Sequence, residues 1–154
     1  MEEAMAILES NVIQNLEENS LCTVVSVARY RLASRTMMYA YNAGKIYLLT
    51  ANTTGKLDDM KYTDKGLLHI GNGKLDDMNS YDISIPGYFE VLKEDNPLFQ
   101  EGYLTLAKKN PEVLGIMNSD MKNAYSLILF KYREIRAWTL LQALSGEEKT
   151  VIKV

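Results

Sequence analysis

The residues best suited to chemistry stand close together in the first third of the chain. Arg35 lies in Ser34-Arg35-Thr36-Met37. Thr50, Thr53, Thr54 and Lys56 follow in Thr50-Ala51-Asn52-Thr53-Thr54-Gly55-Lys56. A phosphate group needs several donors aimed at one place. Hydroxyls, unpaired backbone N–H groups at a helix start, an ammonium and a guanidinium make such a set. The spacing is not that of a Walker loop, which has a longer glycine-rich run before Lys-Ser/Thr. On residue types alone two readings stand: a phosphate cradle, or a threonine-capped helix with two solvated cations nearby.

A second pattern bears on the same turn. The hexapeptide GKLDDM occurs at 55–60 and again at 73–78. The first copy follows hydroxyl-bearing residues. The second follows Leu67-Leu68-His69-Ile70-Gly71-Asn72, which has none, and runs into Asn79-Ser80-Tyr81. No similarity extends beyond the hexapeptide, so a repeat architecture is not indicated. The second copy reads as a solvent-facing connection. Its Asp76, Asp77 and Asn79 lack the spaced oxygen ligands of a calcium loop. The single cysteine, Cys22, sits in an apolar stretch and reads as a buried, inert thiol with no possible intrachain disulfide. The single histidine, His69, reads as packed at a strand end. One Cys and one His do not make a zinc site, and no metal is expected.

The elements that must position these groups follow from periodicity and turn chemistry. Apolar positions at helical spacing over 2–18 predict an N-terminal helix. Residues 21–28, 32–41 and 45–50 read as three strands of an antiparallel meander, with Asn42-Ala43-Gly44 as a turn. A short helix is expected over 55–64, capped by Thr54 and with Asp58 and Asp59 favourably placed in its first turns. Strands are expected at 66–70 and 82–93, the latter bent at Pro86-Gly87, with a polar loop over 71–81 between them. Helices entered through proline are expected at 97–109 and 111–119. Residues 124–139 read as a long strand bent near Arg133-Glu134, and 149–154 as a last edge strand. Six or seven antiparallel strands with helices outside predict a small closed barrel, mainly β, forming a single domain over 1–154.

In order and spacing, these segments resemble the pyridoxamine 5′-phosphate oxidase-like, FMN-binding split-barrel superfamily. The resemblance rests on Leu16-Glu17-Glu18-Asn19 ending the first helix, a Thr23-Val24-Val25-Ser26-Val27 strand, Ser34-Arg35-Thr36-Met37, Lys45-Ile46-Tyr47-Leu48-Leu49-Thr50, and the turn from Thr50 through Lys56. It covers a little under half of the chain; the C-terminal half matches in its strand–helix–strand outline. It implies FMN as cofactor, with the phosphate held by Arg35, Thr50, Thr53, Thr54 and Lys56, and the backbone of Thr36, Met37 and Met38 running along the flavin ring. It implies a homodimer with FMN between subunits, where Trp138 of a second copy could stack near the flavin; packing within its own strand is the other reading. Three departures set the chain apart from the oxidases proper: Tyr39-Ala40-Tyr41 lacks their second basic side chain, Gly55 replaces an arginine, and the substrate-binding arginine motif near the C-terminal tryptophan is missing. The short general-stress-protein-like and nitroimidazole-resistance-like flavoproteins resemble it more.

Composition limits the remaining classes. Of 154 residues, 47% are hydrophobic and 24% charged, as in an ordinary soluble domain, and the net charge of −3 gives no pull toward nucleic acid or an anionic membrane. No apolar run approaches a membrane span. The acidic start Met1-Glu2-Glu3 lacks the basic beginning of a signal peptide, so a cytoplasmic location is expected. The expectation is an FMN-dependent oxidoreductase acting on an unknown small molecule, with no catalytic side chain assigned. The alternative is a non-catalytic holder of flavin or another cofactor on the same barrel.

Overall fold

A computed structural model describes residues 2–53, 56–71 and 75–154. Helix α1 (Glu2–Glu18) leads into three meandering strands, β1 (Leu21–Val27), β2 (Leu32–Asn42) and β3 (Lys45–Ala51). Helix α2 (Lys56–Tyr62) precedes β4 (Lys65–Gly71) and β5 (Tyr81–Leu92). Helices α3 (Leu98–Lys109) and α4 (Glu112–Met117) and a 3₁₀ turn (Asp120–Ala124) lead to β6 (Tyr125–Tyr132) and β7 (Glu134–Thr139). A short α5 (Leu140–Leu144) and β8 (Thr150–Lys153) complete the order.

All ladders are antiparallel, in the order β4-β1-β2-β3-β6-β5, and β4 pairs back onto β5, which closes a six-stranded barrel. Closure removes the unpaired edges that an open sheet would expose. Strands β7 and β8 extend from one edge of β5. Along that edge β5 pairs first with β7, through Ser84, and then with β6, from Gly87. Pro86, which has no N–H to give, falls at the change of partner.

The turn between β2 and β3 shows the local logic. Only Ala43 and Gly44 separate the paired residues Asn42 and Lys45, and both have positive φ, 49° and 84°. A two-residue turn of this kind matches the strand twist, and the glycine adopts it without strain.

Alternation along the strands sorts side chains into two apolar clusters. One fills the barrel and includes Val24, Met37, Tyr39, Ile85, Ile128 and Phe130. The other lies between the outer face of β2, β3 and β6 and the helices α3 and α4, with Ala40, Tyr47, Tyr103, Leu106 and Leu127 among its members. Helix α1 adds Leu16 to the barrel cluster and is anchored where Tyr39 Oη donates to the Leu16 carbonyl at 2.7 Å. That burial holds the Tyr39 phenol well above its ordinary pKa. Met60 of α2 packs against the same cluster. Since α1 joins the start of β1 and α2 meets its end, the two helices cover opposite ends of the barrel. Among the described residues, no helix is long and apolar enough to cross a membrane.

The barrel is tight where β5 crosses β6. A Cβ on Gly87 would stand 2.2 Å from the Lys131 carbonyl oxygen and 2.8 Å from the Phe130 ring. Backbone cannot yield as a flexible side chain would. Gly87→Ala is therefore expected to cost about 1–3 kcal/mol, read as a lower urea midpoint; an unchanged midpoint would contradict this packing.

Candidate functional site

The sequence-selected residues on β2 divide by face. Arg35 lies opposite Val24 and Met37 opposite Cys22, and both partners are buried in the barrel; Thr36 lies opposite Thr23 on the outer face. The Met37 side chain is committed to the barrel core. Met38 is half-buried and packs with the α3–α4 cluster. Arg35 is half-buried and makes no ion pair or hydrogen bond among the described residues. The next pair on its side of the ladder, Ala33 with Ser26, stands where Ser26 Oγ donates to Asp59 Oδ2 of α2 at 3.3 Å. That bond ties α2 to the barrel end that carries Arg35.

The threonine turn lies between these elements. Thr50 is buried at the end of β3, on the barrel side, and Thr53 is exposed just beyond it. Lys56 opens α2. Its side chain, Thr54 and Gly55 lie outside the described residues. The first GKLDDM copy thus enters a helix, whereas Leu75–Met78 of the second form turns before β5, with Leu75 almost fully exposed.

The most consequential feature is where β2 and β3 part. Their ladder runs from Asn42↔Lys45 only as far as Tyr39↔Leu48. Beyond it, β2 stays paired with β1 through Leu32, and β3 with β6 through Ala51. The backbone from Arg35 to Met38 therefore borders a split in the barrel wall, with the threonine turn at its far side.

Sequence reasoning missed what holds that turn. Asn52 N donates to the Ala124 carbonyl at 2.8 Å and Asn52 Nδ2 to the Asn123 carbonyl at 3.0 Å, while Asn52 Oδ1 accepts from Ser126 Oγ at 2.5 Å. An asparagine directly after a strand is the one local signal for such a clamp; its partners are more than seventy residues away.

One other expectation changes. His69 is not packed away. Its side chain is 41% exposed on the outer face, opposite Thr23 and Ser84, with Nε2 2.6 Å from Asp82 Oδ1. A strand position facing an uncovered sheet leaves its side chain in solvent, whatever the apolarity of its neighbours. Trp138, 40% exposed, lies opposite Asp82 on β7. Counting β2-β1-β4-β5-β7, it stands four strands from Arg35, roughly 19 Å of sheet at the usual strand spacing. One chain does not bring the two together. Cys22 is buried, as expected. Among the described residues, no group of three or more His, Cys, Asp or Glu could hold a metal ion.

No protein-family model matches the sequence, and no curated protein sequence matches it. Solved structures do. A protein related to general stress protein 26 of B. subtilis (pyridoxinephosphate oxidase family), from Clostridium acetobutylicum, matches with a TM-score of 0.67 and 18% identity over 96% of this chain and 93% of that one. A FAD-binding protein from Mesorhizobium loti matches with a TM-score of 0.67 and 8% identity over 83% and 91%. The chain has the split-barrel fold of the pyridoxamine 5′-phosphate oxidase-like proteins. A heme binding protein from Mycobacterium smegmatis has this fold too, with a TM-score of 0.71 and 10% identity; the match covers 94% of this chain and 56% of that longer one. Split barrels thus include proteins described by different cofactors.

The clamp at that parting is open to test. Asn52→Ala removes two side-chain hydrogen bonds and is expected to cost about 1–3 kcal/mol, measured by urea unfolding. An unchanged midpoint would mean that the turn is held by other contacts.

Proposed function

We propose that this split barrel binds FMN and serves as an oxidoreductase for a small molecule. The observation that carries the reading is the parting of β2 and β3 beyond Tyr39↔Leu48 beside a half-buried arginine that has no partner among the described residues. A guanidinium half-withdrawn from water and free of carboxylates suits an anionic group, and a bidentate contact to phosphate matches its geometry. The threonine turn and the start of α2 lie at the same barrel end. The FAD-binding neighbour and the neighbour of the pyridoxinephosphate oxidase family support a flavin.

In this reading Arg35 and Lys56 hold the phosphate, and Thr53 and Thr54 add hydroxyl donors. Thr50, buried beneath the turn, forms its floor. Thr36, Met37 and Met38 border the ring with their backbone, since the Met37 side chain is occupied in the core. Bound flavin would supply hydride and single-electron transfer, with a reduced pyridine nucleotide as donor and a small oxidised molecule as acceptor. The protein's part is to bind, orient and exclude water, which requires no acid or base from the chain. Trp138 reaches this site only from a second copy, so the reading includes a homodimer with FMN between subunits. A cytoplasmic setting suits such a reductase.

The second reading is a cofactor holder without turnover. The heme binding neighbour and the accessible His69 favour it, because an imidazole fixed at Nε2 by a carboxylate leaves Nδ1 as a ligand atom. A visible spectrum of protein purified with both cofactors supplied separates flavin bands from a heme Soret band. Arg35→Ala with Lys56→Ala is expected to weaken FMN binding about 100-fold, from two charge-assisted contacts of about 1.5 kcal/mol each, measured by flavin fluorescence titration. Absence of FMN uptake in excess FMN would overturn the proposal. Oxidation of reduced nicotinamide by the loaded protein distinguishes an enzyme from a holder.

A further inference from the structure

The end of the barrel covered by α1 carries a cavity of about 360 Å³, within the range of small-molecule sites. It lies between α1, the start of β5, and the β7–α5 corner. Its floor is apolar, from Val12, Ile83 and Ala137, and Tyr81 and Trp138 contribute aromatic rings. Among the described residues, five side-chain carboxamides line it, and none of the twelve lining residues is charged. In a chain with 24% charged residues, this absence selects against an ionic ligand, whose charge would find no counter-charge there.

The carboxamides are of two kinds. Gln142 and Gln14 are already engaged: Gln142 Oε1 accepts from Thr139 N at 2.9 Å and its Nε2 reaches Thr150 Oγ1 at 3.4 Å, and Gln14 Nε2 donates to Glu18 Oε1 at 2.7 Å. The side chains of Asn11, Asn15 and Asn79 make no hydrogen bond among the described residues. Asn79 comes from the end of the second GKLDDM loop, held by an Asp77 side chain that accepts from its backbone N–H at 2.9 Å. That loop therefore has a use beyond connection: it presents a donor–acceptor pair to the cavity.

We propose that this cavity binds an uncharged ring bearing amide-type donors and acceptors, of the pyrimidine-base kind. Each carboxamide offers N–H donors beside a carbonyl acceptor, which matches the cis-amide edge of such a ring. The flat face of the ring suits Tyr81 and Trp138. Within one chain the cavity lies at the opposite end of the barrel from Arg35 and the threonine turn, and its carboxamides differ from the cations and hydroxyls proposed for the flavin phosphate; Trp138 is the one residue that both readings use.

The chain has one tryptophan, and it lines this cavity, so its single indole N–H signal in a ¹H–¹⁵N spectrum is a direct reporter. Titration with uracil is expected to shift that signal to saturation. Orotate, the carboxylated analogue, is expected to leave it in place. Asn79→Ala, in an exposed loop, and Asn15→Leu are each expected to weaken uracil binding about fivefold, the equivalent of one hydrogen bond, with circular dichroism reporting an intact fold. The uracil affinity is expected to be the same with and without excess FMN, whatever shift FMN itself gives to the Trp138 signal. No shift with uracil, equal binding of orotate, a response to glucose in place of uracil, or displacement of uracil by FMN would each overturn the proposal.

Discussion

The structure depends on two strands that begin as hairpin neighbours and then separate. A tight two-residue turn sets β2 beside β3, yet after four residue pairs each follows another partner. Both strands keep one ladder, so the hydrogen-bond cost of the separation falls on a short stretch of wall. On the β2 side of that stretch, from Arg35 to Met38, one strand edge faces the opening and not another strand. Closing the barrel through β4 and β5 elsewhere keeps the opening local.

The rest of the molecule holds this opening in shape. On the outer face, α3 approaches β3 closely at Gly102, and Glu101 receives both Lys45 Nζ and Tyr47 Oη, at 3.2 Å each. Burial, and then the neighbouring Glu101 carboxylate, push the Tyr47 phenol up to about 12, so it stays protonated and donating at neutral pH. Tyr132 Oη donates to the Gly44 carbonyl at 2.6 Å and secures the hairpin turn from the neighbouring strand β6. Tyr39 joins α1 to the core. The abundance of tyrosine has a structural use here: each of these rings packs as an apolar body and spends its hydroxyl on one tie between elements.

Much of this was legible along the chain. The meander from β1 to β3 follows from alternation and from Asn42-Ala43-Gly44. The prolines before α3 and α4 mark their starts, and Pro86-Gly87 marks the change of partner on β5. The long strand pattern over 124–139 is broken at Arg133, as its polarity there suggested. Helix α5 was not anticipated, although Thr139 and Gln142 form a capping box at its start; five residues carry too little periodicity to be distinguished from the end of a strand. His69 was misread for a related reason. An apolar run does not say which of its positions faces the core, and only the pairing of β4 with β1 and β5 puts this side chain outside.

Local chemistry along the chain was enough to specify which residues form strands, where they turn, and which short segment assembles hydroxyls and cations, because alternation, turn residues and helix starts act over a few residues. Pairing between distant segments settled the remainder. It placed Arg35 and α2 at one barrel end, clamped Asn52 to Asn123 and Ser126, set Trp138 four strands away, and gathered uncharged side chains from α1, a loop and β7 around one cavity. No short-range preference encodes those contacts, since each arises only when the barrel closes and the register of every ladder is set at once.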